Sequence, residues 1–189
     1  MIEQIVEIDK QVMIYLNNLG STPYDAFWLF ITKQLNWLPF FLVLLYFTYK
    51  QVSLKTLGLV LIVLALLIAF TDQMTNLVKY SVGRLRPCNT EDIKESLRIV
   101  KCSSSLSFFS GHASNSTATM TFMFLLLRTK YKYAFLVFIF PLIFAYSRIY
   151  LSLHFPVDIL VGMFAGVIFG TTFYKLFVFI ERKYKTKLQ

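Results

Sequence analysis

One polar stretch separates two apolar runs in the second half of the chain, and it reads Ser147-Arg148-Ile149-Tyr150-Leu151-Ser152-Leu153-His154-Phe155-Pro156-Val157-Asp158. It contains an arginine, an aspartate and one of the two histidines of the chain. Charged groups are costly in the apolar surroundings that the flanking runs imply, and within such segments they commonly mark a functional site. The residues that gather around this stretch in the folded chain therefore decide whether it serves chemistry or structure.

The composition is that of an integral membrane protein. Of the 189 residues, 57% are hydrophobic and 17% aromatic, and the mean hydropathy is +0.61. The apolar content is spread over several runs within a length typical of one domain, so we predict a single domain over residues 1–189 without a cleavable signal peptide. The net charge of +9 suits anionic lipid head groups or a phosphorylated substrate. So much lipid-compatible surface excludes a soluble nucleic-acid-binding protein.

Five apolar segments predict an all-α bundle of about five transmembrane helices, over residues 37–49, 54–79, 110–128, 133–147 and 156–180. Most uncharged runs are shorter than the ~20 residues that a crossing requires, so the helices must extend into segments that carry charge. Within the bundle of residues 37–180, residues 84–109 form a polar loop. Residues 1–36 are predicted to form amphipathic interfacial helices, and residues 181–189 a basic tail. The last span repeats glycine at every fourth position, which predicts close helix packing inside the bundle: Gly162, Gly166 and Gly170.

The short basic loops fall on one side of this bundle, which the positive-inside rule makes cytoplasmic. On this side lie the basic tail and the residues Lys50, Lys55, Arg128, Lys130 and Lys132. The opposite side holds the polar loop, the 147–158 stretch and both histidines. Cys88 and Cys102 lie in that one loop, so a disulfide between them is possible. A bridge there would indicate an oxidising compartment.

Two further polar clusters are predicted at the same outer ends of the helices. Lys79 and Arg86 are seven residues apart, which on a continuous helix puts both cations on one face, with Pro87 marking the helix end. Both could hold a phosphate, although snorkelling toward head groups is by itself the commoner explanation of such cations. Ser110-Gly111-His112 opens the third span, where free N–H groups at a helix N-terminus can bind an anion. The alternative for Ser110 is a plain N-cap.

The 147–158 stretch is predicted to provide a histidine–carboxylate pair. Pro156 suits the first turn of a helix, which puts Asp158 in that turn and His154 just before it. A carboxylate that accepts one ring N–H leaves the other nitrogen free for nucleophilic attack, whereas a structural His–Asp cap explains this pair alone equally well. With two histidines beside phosphate-type donors, one can attack phosphorus while the other protonates the leaving oxygen. No acidic cluster has metal-ligand spacing, so the cations would neutralise the phosphoryl charge, and neither a metal nor a cofactor is predicted.

These residues resemble the three signature motifs of the type 2 phosphatidic acid phosphatase (PAP2) family, which includes lipid phosphate phosphatases and vanadium haloperoxidases. The motifs are Lys79-x6-Arg86-Pro87, Ser110-Gly111-His112 and Ser147-Arg148-x5-His154-x3-Asp158. The resemblance implies a helical bundle that hydrolyses phosphate esters without a metal. It implies that His154 is the nucleophile and forms a phosphohistidine, that Asp158 orients it and that His112 is the general acid. It assigns the phosphate oxygens to Lys79, Arg86, Ser110, Gly111 and Arg148. The proline that usually precedes Ser-Gly-His in the family is Phe109 here.

We therefore predict a membrane phosphatase that acts on a lipid-linked mono- or diphosphate at the extracytoplasmic face of a bacterial inner membrane. Isoprenyl diphosphate, phosphatidylglycerol phosphate, phosphatidate and lipid A phosphate fit the same residues, and the oligomeric state is open. A lipid phosphotransferase would use the same site. A non-enzymatic lipid-binding or transport bundle would not need two histidines with these neighbours, and the membrane spans argue against a vanadium haloperoxidase. Asp72, in the second span, is predicted either to pair with a nearby cation or to have a plain helix-packing or interfacial role.

Overall fold

The computed structural model describes the backbone of residues 2–186 and the side chains of residues 3–183. The described residues form seven α-helices: α1 (Ile2–Asn18), α2 (Asp25–Ile31), α3 (Leu38–Gln51), α4 (Leu54–Val82), α5 (Gly111–Leu127), α6 (Ile139–Tyr150) and α7 (Pro156–Thr186). Short 3₁₀ turns lie at Thr22–Tyr24, Gln34–Trp37, Pro87–Asn89, Lys94–Ser96 and Ala134–Phe138. No β-strand occurs among these residues, so the predicted all-α fold is confirmed.

The five predicted spans coincide with helices α3 to α7. Two of these, α4 and α7, are by length and composition able to cross a membrane, and a third crossing results if α2 and α3, which meet at a bend of 73°, count as one broken span. Helices α5 and α6 are shorter, with 17 and 12 residues. Most side chains of α5 are buried, because the helix is surrounded by protein and so tolerates polar residues that lipid would not. The number of crossings stays a prediction.

The predicted basic tail begins inside a helix rather than after one. Helix α7 continues through Glu181 to Thr186, and residues 187–189 lie outside the described residues. A run of helix-compatible residues without glycine or proline follows the apolar part of α7, so nothing in the sequence stops the helix at residue 180.

Helix α1 packs on the protein through one face. It lies against α6 and α7, and it buries Asp9, Met13 and Asn17, which follow one another at four-residue spacing along the same side of the helix. The Asn17 amide donates to the carbonyl oxygens of Ile149 at 3.2 Å and Tyr150 at 2.9 Å. These bonds fix α1 to the end of α6, directly beside the 147–158 stretch.

Helices α5 and α7 approach each other through glycine, as the four-residue spacing in α7 predicts. A Cβ atom added to Gly162 would lie 2.7 Å from the carbonyl oxygen of Ser110, and one added to Gly166 would lie 2.6 Å from that of Ser114. Such distances leave no room for any side chain. The predicted close packing inside the bundle is therefore confirmed, and it holds the start of α5 against the start of α7.

We expect the substitution Gly166→Ala to destabilise the protein and reduce its activity, although Gly166 lies about three helical turns from Pro156 at the start of α7. The new methyl group would meet the Ser114 carbonyl and the Thr117 side chain, and overpacking of this kind costs ~1–3 kcal/mol. The thermal midpoint in detergent measures the effect. Gly58→Ala is the matched control, because nothing lies within 4 Å of a Cβ at that position of α4. Equal midpoints for the two variants would contradict the prediction.

The loop between α4 and α5 is closed by a disulfide. Gly83 ends α4 in the left-handed conformation, with φ of 68°, and its N–H donates to the Lys79 carbonyl at 2.9 Å. Cys88 and Cys102 are bridged, with their Cα atoms 5.8 Å apart, so the predicted disulfide is confirmed. The bridge brings the two arms of the loop together between the end of α4 and the start of α5.

Candidate active site

His154 lies in the tight turn that joins α6 to α7. The Arg148 carbonyl accepts from the N–H groups of Leu153 (2.9 Å) and His154 (3.3 Å), and Ser152 adopts a positive φ of 61° to close the turn. Pro156 then begins α7, as its restricted φ predicts. The His154 side chain is fully buried where the C-terminal end of α6 meets the N-terminal end of α7.

Asp158 reaches back to His154 from the first turn of α7, with Ser107 beside them. Asp158 Oδ2 lies 3.6 Å from His154 Nδ1 and accepts from the Phe155 N–H at 3.0 Å. Ser107 lies 3.3 Å from the same ring nitrogen and donates its hydroxyl proton to Asp158. All three side chains are fully buried. Nδ1 of the His154 ring therefore faces a carboxylate and a hydroxyl, while Nε2 faces away from them.

Arg86 faces Nε2 of the His154 ring. Arg86 Nη1 lies 3.4 Å from His154 Nε2 and donates to the Leu153 carbonyl at 2.8 Å, while Nε and Nη2 donate to Ser105, each at 2.8 Å. A guanidinium can only donate hydrogen bonds, so Nε2 must present its lone pair and the ring proton lies on Nδ1. This tautomer is the one that a nucleophilic histidine requires.

The predicted helical relation between Lys79 and Arg86 is wrong. Helix α4 ends at Val82 because Gly83 adopts the left-handed conformation, and Arg86 lies in extended backbone beyond it, with φ −76° and ψ 156°. The two cations nevertheless converge, because the chain turns back over the end of α4. Lys79 remains in the last turn of α4 and lines a cavity, whereas Arg86 approaches His154 from the loop.

Burial lowers the pKa of His154 to about 3, and the positive charges of Arg86 and Arg148 act in the same direction, against the hydrogen bond to Asp158. The ring is therefore neutral at physiological pH. A neutral imidazole beside two cations has its lone pair available, which is the state needed for attack on phosphorus.

We expect the folded protein to lose stability as the pH falls from 7 to 4. The folded-state pKa of His154 lies below the ~6.5 of an unfolded chain, so the unfolded state binds the additional proton throughout this window and is favoured by acid. Thermal midpoints measured between pH 7 and pH 4 test whether stability falls as the pH is lowered. In the variant His154→Gln, which cannot gain a proton, the midpoint should fall less over the same interval. If the thermal midpoints of the two proteins changed equally with pH, His154 would not be the source of the pH dependence.

The second predicted cluster forms the start of α5. Ser110 is the N-cap, and its hydroxyl accepts from the Ala113 N–H at 3.3 Å while its own N–H donates to the Asp158 carbonyl at 3.0 Å. Gly111 and His112 line a cavity of about 510 Å³ that Lys79 also faces. The His112 ring packs on Phe144, with centroids 5.6 Å apart. Polar side chains of α4 and α5 line this cavity together with apolar side chains of α3, α4 and α6.

Arg148 completes the convergence of the predicted residues. It is buried in the last turn of α6, one of its terminal nitrogens donates to Thr32, and its Nε has no hydrogen-bond partner among the described residues. Electrostatic neighbours of His112 include Arg148, His154, Lys79 and Arg86. The three clusters that lie far apart in sequence therefore share one site, with cations around both histidines.

Arg84 and Asp9 are neighbours of this site that the sequence did not reveal. Arg84 donates to Asp158 Oδ1 and to Asp9 Oδ2, each at 2.7 Å, and its guanidinium lies 3.8 Å from the Phe155 ring centroid. Asp9 also accepts from the Val157 N–H at 2.9 Å. Burial raises the pKa of Asp9, against the hydrogen bonds from Val157 and Arg84. The sequence held one indication of this contact: Asp9 lies on the same face of α1 as Met13, and a buried acid needs a partner.

Ser105 and Ser107 were also missed. They belong to an irregular loop, where no periodicity relates a residue to its neighbours in space. Their position two and four residues before Phe109, between the bridged Cys102 and the start of α5, is what brings them to the site.

We expect Arg84→Ala to lower kcat by ~10-fold or more with little change in KM, because Asp158 would lose the cation that holds its second oxygen. Arg84→Lys should restore part of the loss, since it returns the charge without the two-pronged geometry. Initial rates over a range of lipid phosphate concentrations separate kcat from KM. An unchanged kcat, or a loss confined to KM, would show that Arg84 does not position Asp158.

Comparison with known families and structures agrees with this arrangement. Residues 59–182 match the family model described as PAP2 superfamily. Among curated proteins, the chain is 34% identical over 193 residues to a lipid A 4'-phosphatase of Bacteroides thetaiotaomicron, an alignment that covers 100% of this chain and 84% of the relative. It is 25% identical over 185 residues to a lipid A 4'-phosphatase of Porphyromonas gingivalis, with coverage of 96% and 78%.

Two solved structures share the fold. A PAP2-type phosphatidylglycerolphosphate phosphatase from Bacillus subtilis superposes with a TM-score of 0.68 and 19% identity, covering 95% of this chain and 87% of that one. LpxE from Aquifex aeolicus superposes with a TM-score of 0.61 and 20% identity, covering 87% and 93%. The predicted PAP2-type phosphatase class is confirmed by the family model and the curated relatives, and the membrane character agrees with α4 and α7, which are long and apolar enough to cross a bilayer. The family model spans about two thirds of the sequence and the curated relative all of it, and on this basis the chain belongs to the PAP2 superfamily.

Proposed function

We propose that the chain hydrolyses a phosphate monoester of a membrane lipid through a phosphohistidine on His154. The observation that carries the proposal is the orientation of the His154 ring, with Nδ1 toward Asp158 and Nε2 toward Arg86. Nε2 has its lone pair free and faces a cation that can bind a phosphoryl oxygen. A purely structural His–Asp cap would give no reason for a guanidinium at the second ring nitrogen.

In the first step, a bond forms between His154 Nε2 and phosphorus, and the bond between phosphorus and the lipid oxygen breaks. His112 donates a proton to that oxygen, so the lipid leaves as a neutral alcohol. The ring keeps its proton on Nδ1, and the negative charge of Asp158 stabilises the positive charge that develops on the imidazole.

In the second step, a water molecule attacks phosphorus and the phosphorus–nitrogen bond breaks. His112, which lost its proton in the first step, takes one from the attacking water. Inorganic phosphate leaves, and His154 returns to its neutral state with its Nε2 lone pair restored.

The phosphoryl oxygens would bind to the cations around the two histidines and to the start of α5. Lys79, Arg86 and Arg148 supply positive charge, and the Nε of Arg148 has a free donor. Ser110 and Gly111 present the N-terminal end of α5, where backbone N–H groups favour an anion. These groups replace the charge that a metal would supply, so we expect activity to persist in a chelator.

The proposed substrate is lipid A that carries a phosphate at the 4' position, and this phosphate is the group that is released. Support comes from the relatives named above, of which the first covers this whole chain. The apolar lining of the cavity beside Lys79 and His112 suits the chains of a lipid. We place the site at the extracytoplasmic face of a bacterial inner membrane, because the Cys88–Cys102 bridge lies in the adjoining loop and requires an oxidising compartment.

Phosphate release from a panel of lipids tests this proposal. Purified protein in detergent would receive lipid A bearing phosphate at both ends, phosphatidylglycerol phosphate, phosphatidate and isoprenyl diphosphate, each with and without EDTA. We expect the highest kcat/KM for lipid A, loss of the 4' phosphate by mass spectrometry, and no effect of EDTA. Release of inorganic phosphate distinguishes hydrolysis from transfer to a second lipid. If none of the four lipids released phosphate, the proposal would be overturned.

A further inference from the structure

A carboxylate lies within the cavity, deeper along α4 than the predicted phosphate site. Asp72 is seven residues before Lys79, which is about 10 Å along a helix. Both residues line the same cavity, together with apolar side chains such as Ile68. An acidic side chain is costly at this position in an apolar helix, so it requires a specific role.

Asp72 is paired with an amide from the opposite wall. The Asn115 side chain donates its Nδ2 proton to Asp72 Oδ1, and Asn115 lies one turn after His112 on α5. Only the nitrogen of the amide can donate to a carboxylate, so the amide oxygen must point elsewhere. This contact joins α4 to α5, as the helix-packing interpretation of Asp72 predicts, and the charge of Asp72 also acts on the cation Lys79.

Two polar oxygen atoms in or beside this pair accept no hydrogen bond from the described residues. Asn115 Oδ1 and Thr75 Oγ1 are buried without a hydrogen-bond partner among the described residues, and both residues line the cavity. Thr75 is one turn after Asp72 on α4 and lies against Gly111. Unpaired buried acceptors are costly, and a bound donor would satisfy them. Asp72 and Asn115 therefore present free hydrogen-bond acceptors, and the Thr75 hydroxyl can act as either donor or acceptor.

We infer that Asp72, Asn115 and Thr75 form a subsite for hydrogen-bond donors of the substrate head group, one to two helical turns from the proposed phosphate site on the lipid side. Three residues separate His112 from Asn115, which is about 5 Å along the helix axis. The ligand class that fits is a phosphorylated, N-acylated sugar, whose ring hydroxyl and amide N–H groups lie close to its phosphate. Phosphatidate and isoprenyl diphosphates have no such donor near the phosphate. The inference rests on the proposed function, because it concerns which lipid phosphate that site selects.

The variant Asp72→Leu tests the subsite, since leucine is compatible with an apolar helix and removes the acceptor. The measured quantity is kcat/KM for lipid A 4'-phosphate divided by kcat/KM for phosphatidate. We expect this ratio to fall 10- to 100-fold in the variant, mainly through KM for the glycolipid. Gln73→Leu is the matched control, because Gln73 is the adjacent exposed polar residue of α4 and does not line the cavity. Its ratio should equal that of the natural sequence.

Asp72→Asn provides a second test that keeps the side-chain volume, in case leucine prevents folding. It removes the charge and leaves one acceptor, so the ratio should fall by a smaller factor in the same direction. An unchanged ratio in either folded, active variant would overturn the inference and leave the phosphatase proposal intact. A natural sequence that releases phosphate from none of the four lipids in the panel would overturn both.

Discussion

Replacing His154 by alanine is expected to abolish phosphate release from lipid phosphates, with a loss of at least ~10³-fold in kcat. The imidazole is fully buried and has Asp158 and Arg86 at its two nitrogens, so no described side chain stands ready to replace it as nucleophile. The measurement is the initial rate of inorganic phosphate release from lipid A and from phosphatidate. Both rates should fall together, because the nucleophile is common to every substrate.

A covalent intermediate gives a second readout of the same prediction. Protein mixed with a lipid carrying labelled phosphate and stopped within the first turnover in alkali should retain label, because a phosphohistidine survives in base and is lost in acid. His154→Ala should retain none. Size-exclusion behaviour and the thermal midpoint of the variant confirm that it is folded. Labelling or turnover at the natural rate in folded His154→Ala would show that another residue is the nucleophile.

Replacing His112 by glutamine is expected to lower kcat on lipid phosphates by ~10²- to 10⁴-fold. The lipid oxygen is a poor leaving group and needs a proton, which His112 is placed to give from the start of α5 beside Lys79 and Gly111. Aryl phosphates with an acidic phenol leave without that proton. The variant should therefore lose far less activity on p-nitrophenyl phosphate than on a lipid phosphate.

The comparison of the two histidines separates their roles. His154→Ala should lose activity equally on both kinds of ester, whereas His112→Gln should lose it selectively on the lipid. If His112→Gln falls by the same factor on both, then His112 contributes through phosphate binding or packing on Phe144 rather than as the general acid.

The sequence predicted those parts of the molecule in which spacing along a helix determines position. Pro156, His154 and Asp158 fall around the first turn of α7, so their mutual placement follows from local geometry. The same holds for Ser110, the N-cap of α5, and for the glycine row of α7. In each case three or four residues of helix connect the sequence pattern directly to a spatial relation.

The prediction failed or was silent where a loop or a distant helix provides the contact. The seven-residue spacing predicts that Lys79 and Arg86 share a helix, but Gly83 ends α4 before Arg86. A glycine near a helix end can either continue or stop a helix. The bond between Arg84 and Asp9 joins residues 75 positions apart and depends on how α1 folds back, which no local rule specifies. The role of Asp72 likewise depended on Asn115, a residue on another helix.

The contact between α5 and α7 also determines how a lipid can enter. Gly162 and Gly166 bring the backbone of α7 directly onto carbonyls of α5, so no side chain between the helices can swing aside to part them. The cavity has a different wall, formed by side chains such as Phe41 of α3 and Leu64 of α4, which can change rotamer. Under the proposed function, we therefore expect a lipid to approach from the α3 and α4 side, past these side chains. We expect the close α5–α7 contact to hold the start of α5, with His112, at a fixed distance from the start of α7, beside His154.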